Sequence, residues 1–239
     1  TGKIPFASTF ACFLTRACDQ IRMGAVSQSS IKLCGSHCGV SIGPDGPSQM
    51  GLEDIAMMRA LPGSTVLYPS DAVSAHWLAG VAAETDGIVY IRTSRPKTPL
   101  VYENETEFQI GGSHVLRSSN RDRATLVSAG VTLHEALRSA EILAEKEIPV
   151  RVIDLYSIKP VDESTLRQAA EETGLVVTIE DHYPEGGLGE AVLTALANTN
   201  SRYHRIAVTG LPRSGPGDEL LCKFGLDAVS ITETVERLL

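Results

Sequence analysis

The sequence predicts an α/β protein made of two consecutive three-layer α/β/α domains with mainly parallel sheets. Apolar runs of strand length alternate with longer amphipathic stretches along most of the 239 residues, which is typical of βαβ units. The alternation stops near residue 93 and resumes near residue 124, and the stretch between is rich in proline, glycine and charge. Such a stretch is typical of an interdomain connection. We therefore expect a first domain over residues 1–105, a linker over 106–123 and a second domain over 124–239.

The composition argues against several classes of partner. The formal net charge is -8, so broad binding to nucleic acid or to an anionic membrane is not expected. No run of residues is long and apolar enough to span a bilayer. Ser8 and Thr9 interrupt the apolar run over residues 6–14, so a signal peptide is not expected either. The five cysteines are odd in number and scattered, which predicts reduced thiols and a cytoplasmic protein.

The first half of the chain predicts three helices alternating with three strands. Apolar residues recur at helical spacing around residues 10–22, and from periodicity alone the two phenylalanines among them are core residues. Ser48 is expected to cap the second helix, and either Ser70 or Asp71 the third. The predicted strands cover residues 31–34, 65–68 and 88–92, and the later helices cover about 52–60 and 71–85.

The second half predicts a further doubly wound domain after a connection that contains a hairpin. The connection occupies residues 93–122, where the strand and helix alternation is lost. The predicted strands cover residues 124–129, 150–155, 175–180 and 204–208. The predicted helices cover residues 132–146, 161–172 and 187–197, with two short helices after the last strand.

The most informative segment is the glycine-rich loop, defined here as residues 36–49. It follows a buried strand and contains too much glycine and proline for a regular element. In a parallel sheet, the loops at the carboxyl ends of the strands are where ligands bind. The loop carries His37, Asp45 and Gln49, which combine a proton-transfer group with hydrogen-bonding groups. The alternative is a surface Ω-loop whose polar residues only cap their own turns.

Individual side chains suggest a site for a polar ligand. His37 suits a general acid or base, or a donor to a substrate oxygen. Asp45 suits acceptance of a polyol hydroxyl, or an Asx turn before Gly46. Gln49 does not titrate and can only exchange hydrogen bonds, for example with a heterocycle. Arg95 follows a strand and can hold a phosphate or carboxylate through two hydrogen bonds, unless it is a surface arginine paired with an interdomain carboxylate.

Other sequence patterns indicate a functional site less specifically. Residues 180–187 combine acidic residues, a histidine and glycines before a helix, which suggests a catalytic loop, an anion site, or a structural or dimer-facing loop. Cys34 and Cys38 flank His37 at a spacing compatible with a metal, but no second cluster completes a tetrahedral set, and no metal site is expected. His134 is expected to be a solvated residue in the first turn of a helix.

Five separated segments resemble the transketolase family of the animal type. They follow the order of the family and extend over almost the whole chain. The segments are FASTFACFLTR at residues 6–16, GSHCGVSIGPDGPSQ at 35–49, YPSD at 68–71, IRTSRP at 91–96 and IEDHY at 179–183. The resemblance implies that the chain holds the family's pyrimidine-binding and C-terminal domains. The diphosphate-binding domain with its metal motif is expected upstream of Thr1.

The resemblance also implies a cofactor site at a dimer interface. Thiamine diphosphate would lie between two copies of a homodimer, with its diphosphate and a divalent cation, Mg or Ca, held by the upstream domain. Phe13 would stack on the aminopyrimidine, with Phe10 adjacent and Gln49 near the edge of the ring. His37 and Asp45 would contact ketose hydroxyls, with His37 in the catalytic role.

The resemblance further implies a reaction. Arg95 would bind the terminal phosphate of a sugar phosphate. The enzyme would be a transferase that moves a two-carbon ketol unit from a ketose phosphate, such as xylulose 5-phosphate, to an aldose phosphate in the pentose phosphate pathway. Pro44 stands where the family usually has glutamate, and the glutamate that activates the cofactor lies outside these residues. We therefore expect the isolated 239-residue chain to be inactive.

Two alternatives remain from the sequence. One is a non-catalytic, transketolase-like homologue that dimerises without turnover, as the missing glutamate and Pro44 suggest. The other is a different thiamine-dependent enzyme with the same two domains, such as the β subunit of a 2-oxoacid dehydrogenase. The set of His37, Asp45 and Arg95 favours a transketolase over this second alternative, because these side chains suit a phosphorylated sugar.

Overall fold

The computed structural model describes residues 2–239, which form two five-stranded sheets. The strands are β1 (Phe6–Phe10), β2 (Ile31–Ser36), β3 (Thr65–Leu67), β4 (Ile88–Arg92), β5 (His114–Arg117), β6 (Thr125–Ser128), β7 (Arg151–Asp154), β8 (Ser157–Lys159), β9 (Leu175–Glu180) and β10 (Arg202–Ala207). The first sheet has the order β1-β2-β4-β3-β8 and the second the order β10-β9-β6-β7-β5. Within each sheet, every pair is parallel except the one at the β8 or β5 edge. The expected fold class is confirmed.

Helices flank both sheets. They are α1 (Cys18–Val26), α2 (Asp54–Arg59), α3 (Ala72–Glu84), α4 (Val131–Glu145), α5 (Glu163–Thr173), α6 (Leu188–Ala195), α7 (Gly217–Lys223) and α8 (Ala228–Leu238). Two 3₁₀ segments, Ala11–Ala17 and Val40–Asp45, lie among them. Across residues 2–239, none of the helices has both the length and the apolar character needed to cross a membrane.

The predicted helix start at Phe10 is wrong. Phe10 is the last residue of β1, the chain then turns through Ala11–Ala17, and the α-helix begins only at Cys18. β1 escaped prediction because it is an edge strand that leaves four of its five residues exposed, so it lacks the alternation of a half-buried strand.

Of the predicted helix caps, only Asp71 is confirmed. The Asp71 carboxylate accepts a hydrogen bond from the Ser74 amide at 2.8 Å, and the Ser74 hydroxyl accepts one from the Asp71 amide at 3.0 Å. This reciprocal pair satisfies two amide groups at the start of α3. Ser48 does not cap α2, because its hydroxyl donates to the neighbouring Gln49 and the helix begins only at Asp54.

The connection after β4 contains no hairpin among the described residues. Its single strand, β5, pairs with β7, which lies more than thirty residues further along the chain. Like β1, strand β8 was not predicted from the sequence. It belongs to the second half of the chain but pairs antiparallel with β3 at the edge of the first sheet. The two halves also share apolar core, since Tyr68 of the first half packs in one buried cluster with Val127 and Ile153 of the second.

Candidate functional site

Three neighbouring parallel strands bring the predicted site residues to one edge of the first sheet. β1 ends at Phe10, which lies opposite Ser36, the last residue of β2. His37 follows directly, and β4 ends three residues before Arg95. The Cys38 amide donates to the Thr93 carbonyl, so the start of the glycine-rich loop stays beside the chain leaving β4. This edge is the carboxyl edge, where ligands bind in open α/β sheets.

Phe10, Phe13 and His37 form a stack that is here named the aromatic platform. The Phe10 ring lies between the other two, with centroid distances of 5.3 Å to Phe13 and 3.8 Å to His37. The interplanar angles are 4° and 11°. All three side chains are half-buried, and the exposed Arg16 guanidinium lies 4.9 Å from the Phe13 ring centroid. The platform is therefore a partly exposed stack of parallel rings.

The backbone of His37 explains its orientation. Its φ of 56° lies in the left-handed region, which few non-glycine residues adopt. The strand therefore turns sharply at this residue. The Ser36 hydroxyl lies 3.0 Å from Nδ1 of the imidazole, so one ring nitrogen is engaged by the protein while the ring plane is held by Phe10.

Asp45 and Arg95 form an ion pair at the same edge. The Arg95 Nη1 donates to the Asp45 carboxylate at 2.8 Å, and the two side chains are 47% and 31% exposed. The alternative that Arg95 pairs with an interdomain carboxylate is wrong, because its partner lies in the glycine-rich loop. Exposed pairs of this kind are weak, so the guanidinium is accessible to a competing anion.

Gln49 is half-buried at the end of the glycine-rich loop. Its side-chain oxygen accepts a hydrogen bond from Ser48, and its amide donates to the Gly46 carbonyl at 3.1 Å. The structure thus holds Gln49 within its own turn.

A buried charge cluster lies beneath the glycine-rich loop, and sequence reasoning missed it. Arg92 at the end of β4 donates to the Asp54 carboxylate at 2.8 Å, and both side chains are fully buried. The same guanidinium donates to the carbonyls of Gly51 at 3.0 Å and Asp181 at 2.9 Å. The available signal was a charged residue at the end of an otherwise apolar strand.

Protonation states in this cluster follow from burial and charge. Burial alone would raise the pKa of Asp54, but the Arg92 guanidinium and the smaller contributions of His182 and Tyr90 together outweigh burial and hold that pKa below its usual value. Burial lowers the pKa of His182 to about 4, so the imidazole is neutral near pH 7. Burial raises the pKa of Asp181, and Arg92 partly offsets this shift.

The segment 180–187 is structural rather than an open anion site. The Glu180 carboxylate accepts a hydrogen bond from the Gly189 amide at 3.1 Å, so the protein's own side chain fills the amino end of α6. Burial raises the pKa of Glu180 to about 8. His182 is buried and its Nδ1 lies 2.6 Å from the Tyr183 carbonyl. The expectation that His134 is solvated is wrong, because the side chain is half-buried and its Nε2 lies 2.7 Å from the Ser70 carbonyl oxygen.

Within residues 2–239, no group of three or more histidine, cysteine, aspartate or glutamate side chains is arranged to hold a metal ion. Cys38 is buried, and its thiol lies 2.7 Å from the Thr93 carbonyl oxygen. Burial raises the pKa of this thiol.

Comparison with known proteins decides the family. The family model "Transketolase, pyrimidine binding domain" matches residues 1–101, and "Transketolase, C-terminal domain" matches residues 113–231. The chain belongs to the transketolase family. It is 51% identical over 238 residues to transketolase of Homo sapiens, covering 99% of this chain and 38% of that protein. It is 52% identical to transketolase-like protein 1 of Bos taurus, covering 99% of this chain and 40% of that protein.

Solved structures agree with this assignment. A split gene transketolase, described as an inactive beta4 tetramer, superposes with a TM-score of 0.91 at 36% identity, covering 99% of this chain and 76% of that chain. Transketolase from Campylobacter jejuni superposes with a TM-score of 0.81 at 19% identity and shows the shared fold alone. The chain spans 38% to 40% of the length of the curated transketolase relatives described above. Transketolases use thiamine diphosphate and act on sugar phosphates.

Proposed function

We propose that this chain supplies the pyrimidine-binding and sugar-phosphate-binding part of a transketolase. The complete enzyme transfers a two-carbon ketol unit from a ketose phosphate, for example xylulose 5-phosphate, to an aldose phosphate in the pentose phosphate pathway. One observation carries the proposal: the aromatic platform and the Asp45–Arg95 pair lie at the same carboxyl edge of a sheet in a transketolase family chain. This arrangement offers a surface for a flat heterocycle beside a cation for a phosphate.

The platform fits the aminopyrimidine of thiamine diphosphate. Phe13 is proposed to stack on that ring, because parallel, half-buried aromatic faces favour offset stacking with a heterocycle. Phe10 supports Phe13 from the side of His37, and Gln49 is proposed to bond to the ring edge. The cofactor supplies the carbanion chemistry when bound. Its diphosphate and a divalent cation, Mg or Ca, are proposed to bind a third domain, across a homodimer interface.

The polar residues are proposed to hold the sugar. Arg95 exchanges its exposed Asp45 partner for the terminal phosphate, because a guanidinium can bind a phosphate through two hydrogen bonds. Asp45 and His37 then contact hydroxyl groups of the ketose. Because Nδ1 of His37 is engaged by Ser36, Nε2 is the atom proposed to exchange a proton or hydrogen bond with substrate. These residues orient the sugar and keep water from the reacting carbon.

A second function is favoured by a separate observation. The neighbour with a TM-score of 0.91 is an inactive tetramer of a split gene transketolase, so chains of this architecture fold and assemble without turnover. The alternative for this chain is a non-catalytic, dimerising transketolase-like protein. The third possibility, a 2-oxoacid dehydrogenase β subunit, receives no support from the relatives described above. The five free cysteines support a reducing compartment, and we propose the cytoplasm.

One pair of samples tests the proposal. The first is the isolated 239-residue chain, and the second is human transketolase with its matched 238-residue segment replaced by this chain. With thiamine diphosphate and magnesium, the hybrid should turn over xylulose 5-phosphate while the isolated chain should not. Turnover by the isolated chain would contradict its proposed dependence on a further domain. A folded, cofactor-binding hybrid without turnover would favour the non-catalytic alternative.

A further inference from the structure

We infer that Asp181, in the second domain, is a positioning residue that fixes the glycine-rich loop and thereby the substrate-facing side chains of Asp45 and His37. The inference rests on the proposed function, since the position of the loop affects turnover only if Asp45 and His37 contact substrate. It gives the C-terminal domain a defined part in a site that the first domain builds.

The start of the glycine-rich loop is hydrogen-bonded to Asp181. The 3₁₀ segment Val40–Asp45 begins with amide groups that have no partner inside the segment. Its N-cap residue, Gly39, has no side chain that could accept from them. The Asp181 carboxylate accepts both, at 2.7 Å from the Val40 amide and 3.2 Å from the Ser41 amide. A residue from the other domain therefore caps the first turn of this segment, which continues through a kink at Gly43 to Asp45.

Glycines of the loop lie close against the second domain. Gly39 has a φ of 81°, and a Cβ at this position would overlap the Asp181 carboxylate. A Cβ at Gly43 would lie 2.9 Å from the Gly215 carbonyl oxygen, and a Cβ at Gly46 would overlap the Ser214 hydroxyl. Three glycines of the loop thus permit direct contact with the second domain. The loop is supported along its length, with Asp181 at its start.

Asp181 is itself held in place by burial and by a hydrogen bond to its backbone. It is fully buried, and its carbonyl accepts from Arg92 Nη2 at 2.9 Å. The same nitrogen donates to the Gly51 carbonyl at 3.0 Å, and that carbonyl also accepts from the Gly39 amide at 2.8 Å. Arg92 therefore joins Gly51, which lies just after the loop and is bonded to Gly39 within it, to the backbone of Asp181. A displacement of the carboxylate would be transmitted to the loop.

Asp181→Asn in the complete hybrid enzyme tests the anchoring directly. Asparagine keeps the shape, but its NH₂ group would face an amide that needs an acceptor. Amide hydrogen exchange at Val40 and Ser41 should become about tenfold to a hundredfold faster, the effect of losing a hydrogen bond to a charged group. The matched control is Asp154→Asn, which alters an equally buried carboxylate that bonds to Ser70 and Tyr102 instead of the loop. It should leave exchange at Val40 and Ser41 unchanged.

A double-mutant cycle tests the positioning role. Asp181→Asn should lower kcat/KM for xylulose 5-phosphate by about tenfold or more, because small misplacements of binding groups are costly. In an Asp45→Ala background the same substitution should have a clearly smaller effect, since the group that it positions is gone. A loss that is fully additive with Asp45→Ala, or that Asp154→Asn reproduces, would overturn the positioning role.

The exchange experiment also separates this inference from the proposed function. Unchanged exchange at Val40 and Ser41 in Asp181→Asn overturns the inference whatever the kinetics show. If Asp45→Ala has no effect on turnover, the substrate role of Asp45 fails while the exchange data still decide the anchoring. Should Asp181→Asn not fold, Gly39→Ala displaces the carboxylate from the opposite side and should accelerate exchange at the same two amides.

Discussion

The imidazole of His37 lies parallel to the ring of Phe10, with 3.8 Å between the centroids and 11° between the planes. This contact joins a residue expected to touch substrate to one expected to touch cofactor. Phe10 is the last residue of β1 and His37 directly follows β2, and the parallel pairing of these two strands brings the two residues together. A change in either ring should therefore affect the binding of both ligands.

Phe13→Ala should weaken binding of thiamine diphosphate to the complete enzyme by about fivefold, because stacking on an aromatic face contributes roughly 1 kcal/mol beyond area burial. The measurement is cofactor affinity by titration calorimetry. The control, Phe224→Leu, changes an aromatic residue of the second domain that packs against its core, and it should leave the affinity unchanged. Equal affinity in Phe13→Ala and the parent enzyme would remove Phe13 from the stacking role.

Arg95→Ala should raise KM for a phosphorylated ketose by about tenfold to a hundredfold, because a charge-assisted hydrogen bond to phosphate contributes about 1.5–3 kcal/mol. KM for an unphosphorylated ketose should change little. Steady-state kinetics on the two ketoses provide the comparison, and Arg95→Lys, which keeps the charge, should recover part of the loss. Equal losses for both sugars would show that Arg95 does not bind the phosphate.

Asp154 should make folding stability depend on pH. Burial raises its pKa to about 7 from its usual value of 3.8. The unfolded state therefore loses the proton first as pH rises, and the contribution to stability is full below about pH 4 and lost by about pH 7. The slope should reach about 1.4 kcal/mol per pH unit at most. Urea unfolding of the 239-residue chain between pH 5 and 7 should show a smaller slope in Asp154→Asn.

Asp162→Asn is the control for this slope. Burial alone would raise the pKa of Asp162, but its hydrogen bonds with Thr165, Ser113 and Ser164 together outweigh burial and lower it. Asp162 therefore titrates below the window, and its removal should lower stability without altering the slope between pH 5 and 7. If Asp154→Asn and the parent chain show the same slope, Asp154 does not carry the raised pKa.

Arg92→Met should lower the free energy of unfolding by about 3–5 kcal/mol, because it leaves the Asp54 carboxylate buried without its partner. Adding Asp54→Leu should recover part of this loss, since the unpaired charge is then removed as well. Chemical denaturation measures both. Lys146→Ala breaks the exposed Lys146–Glu236 pair and should change stability by no more than about 1 kcal/mol. A similarly small loss in Arg92→Met would mean that the buried pair is not structurally important.

Central strands were predictable from sequence, whereas of the edge strands only β10 was predicted. β4 and β9 have the predicted bounds, because strands buried on both faces are continuous apolar runs. β1 is largely exposed and β8 has three residues, so neither shows a periodic pattern. The starts of α3, α4 and α6 were predicted to within one residue, although of these only α3 has a side-chain cap, Asp71.

The candidate site was predictable in part. The glycine-rich loop and Arg95 followed from their positions after buried strands, and the resemblance supplied the interpretation of Phe13. The pairing of Asp181 with the loop amides joins residues separated by 141 positions, and no local pattern encodes such a contact. The buried pair of Arg92 and Asp54 was missed because charged residues are read as exposed unless a partner is known.

Because β8 of the second half joins the sheet of the first half, related chains can be recombined only in restricted ways. β8 completes the sheet of the first half, and its partner β3 is fully buried. A crossover inside the linker would pair Thr65–Leu67 of one parent with Ser157–Lys159 of the other. Hybrids that take both segments from the same parent keep this pair of strands matched. Fragments that end before residue 157 would expose the edge of β3, an apolar strand that can then pair with a strand of another chain.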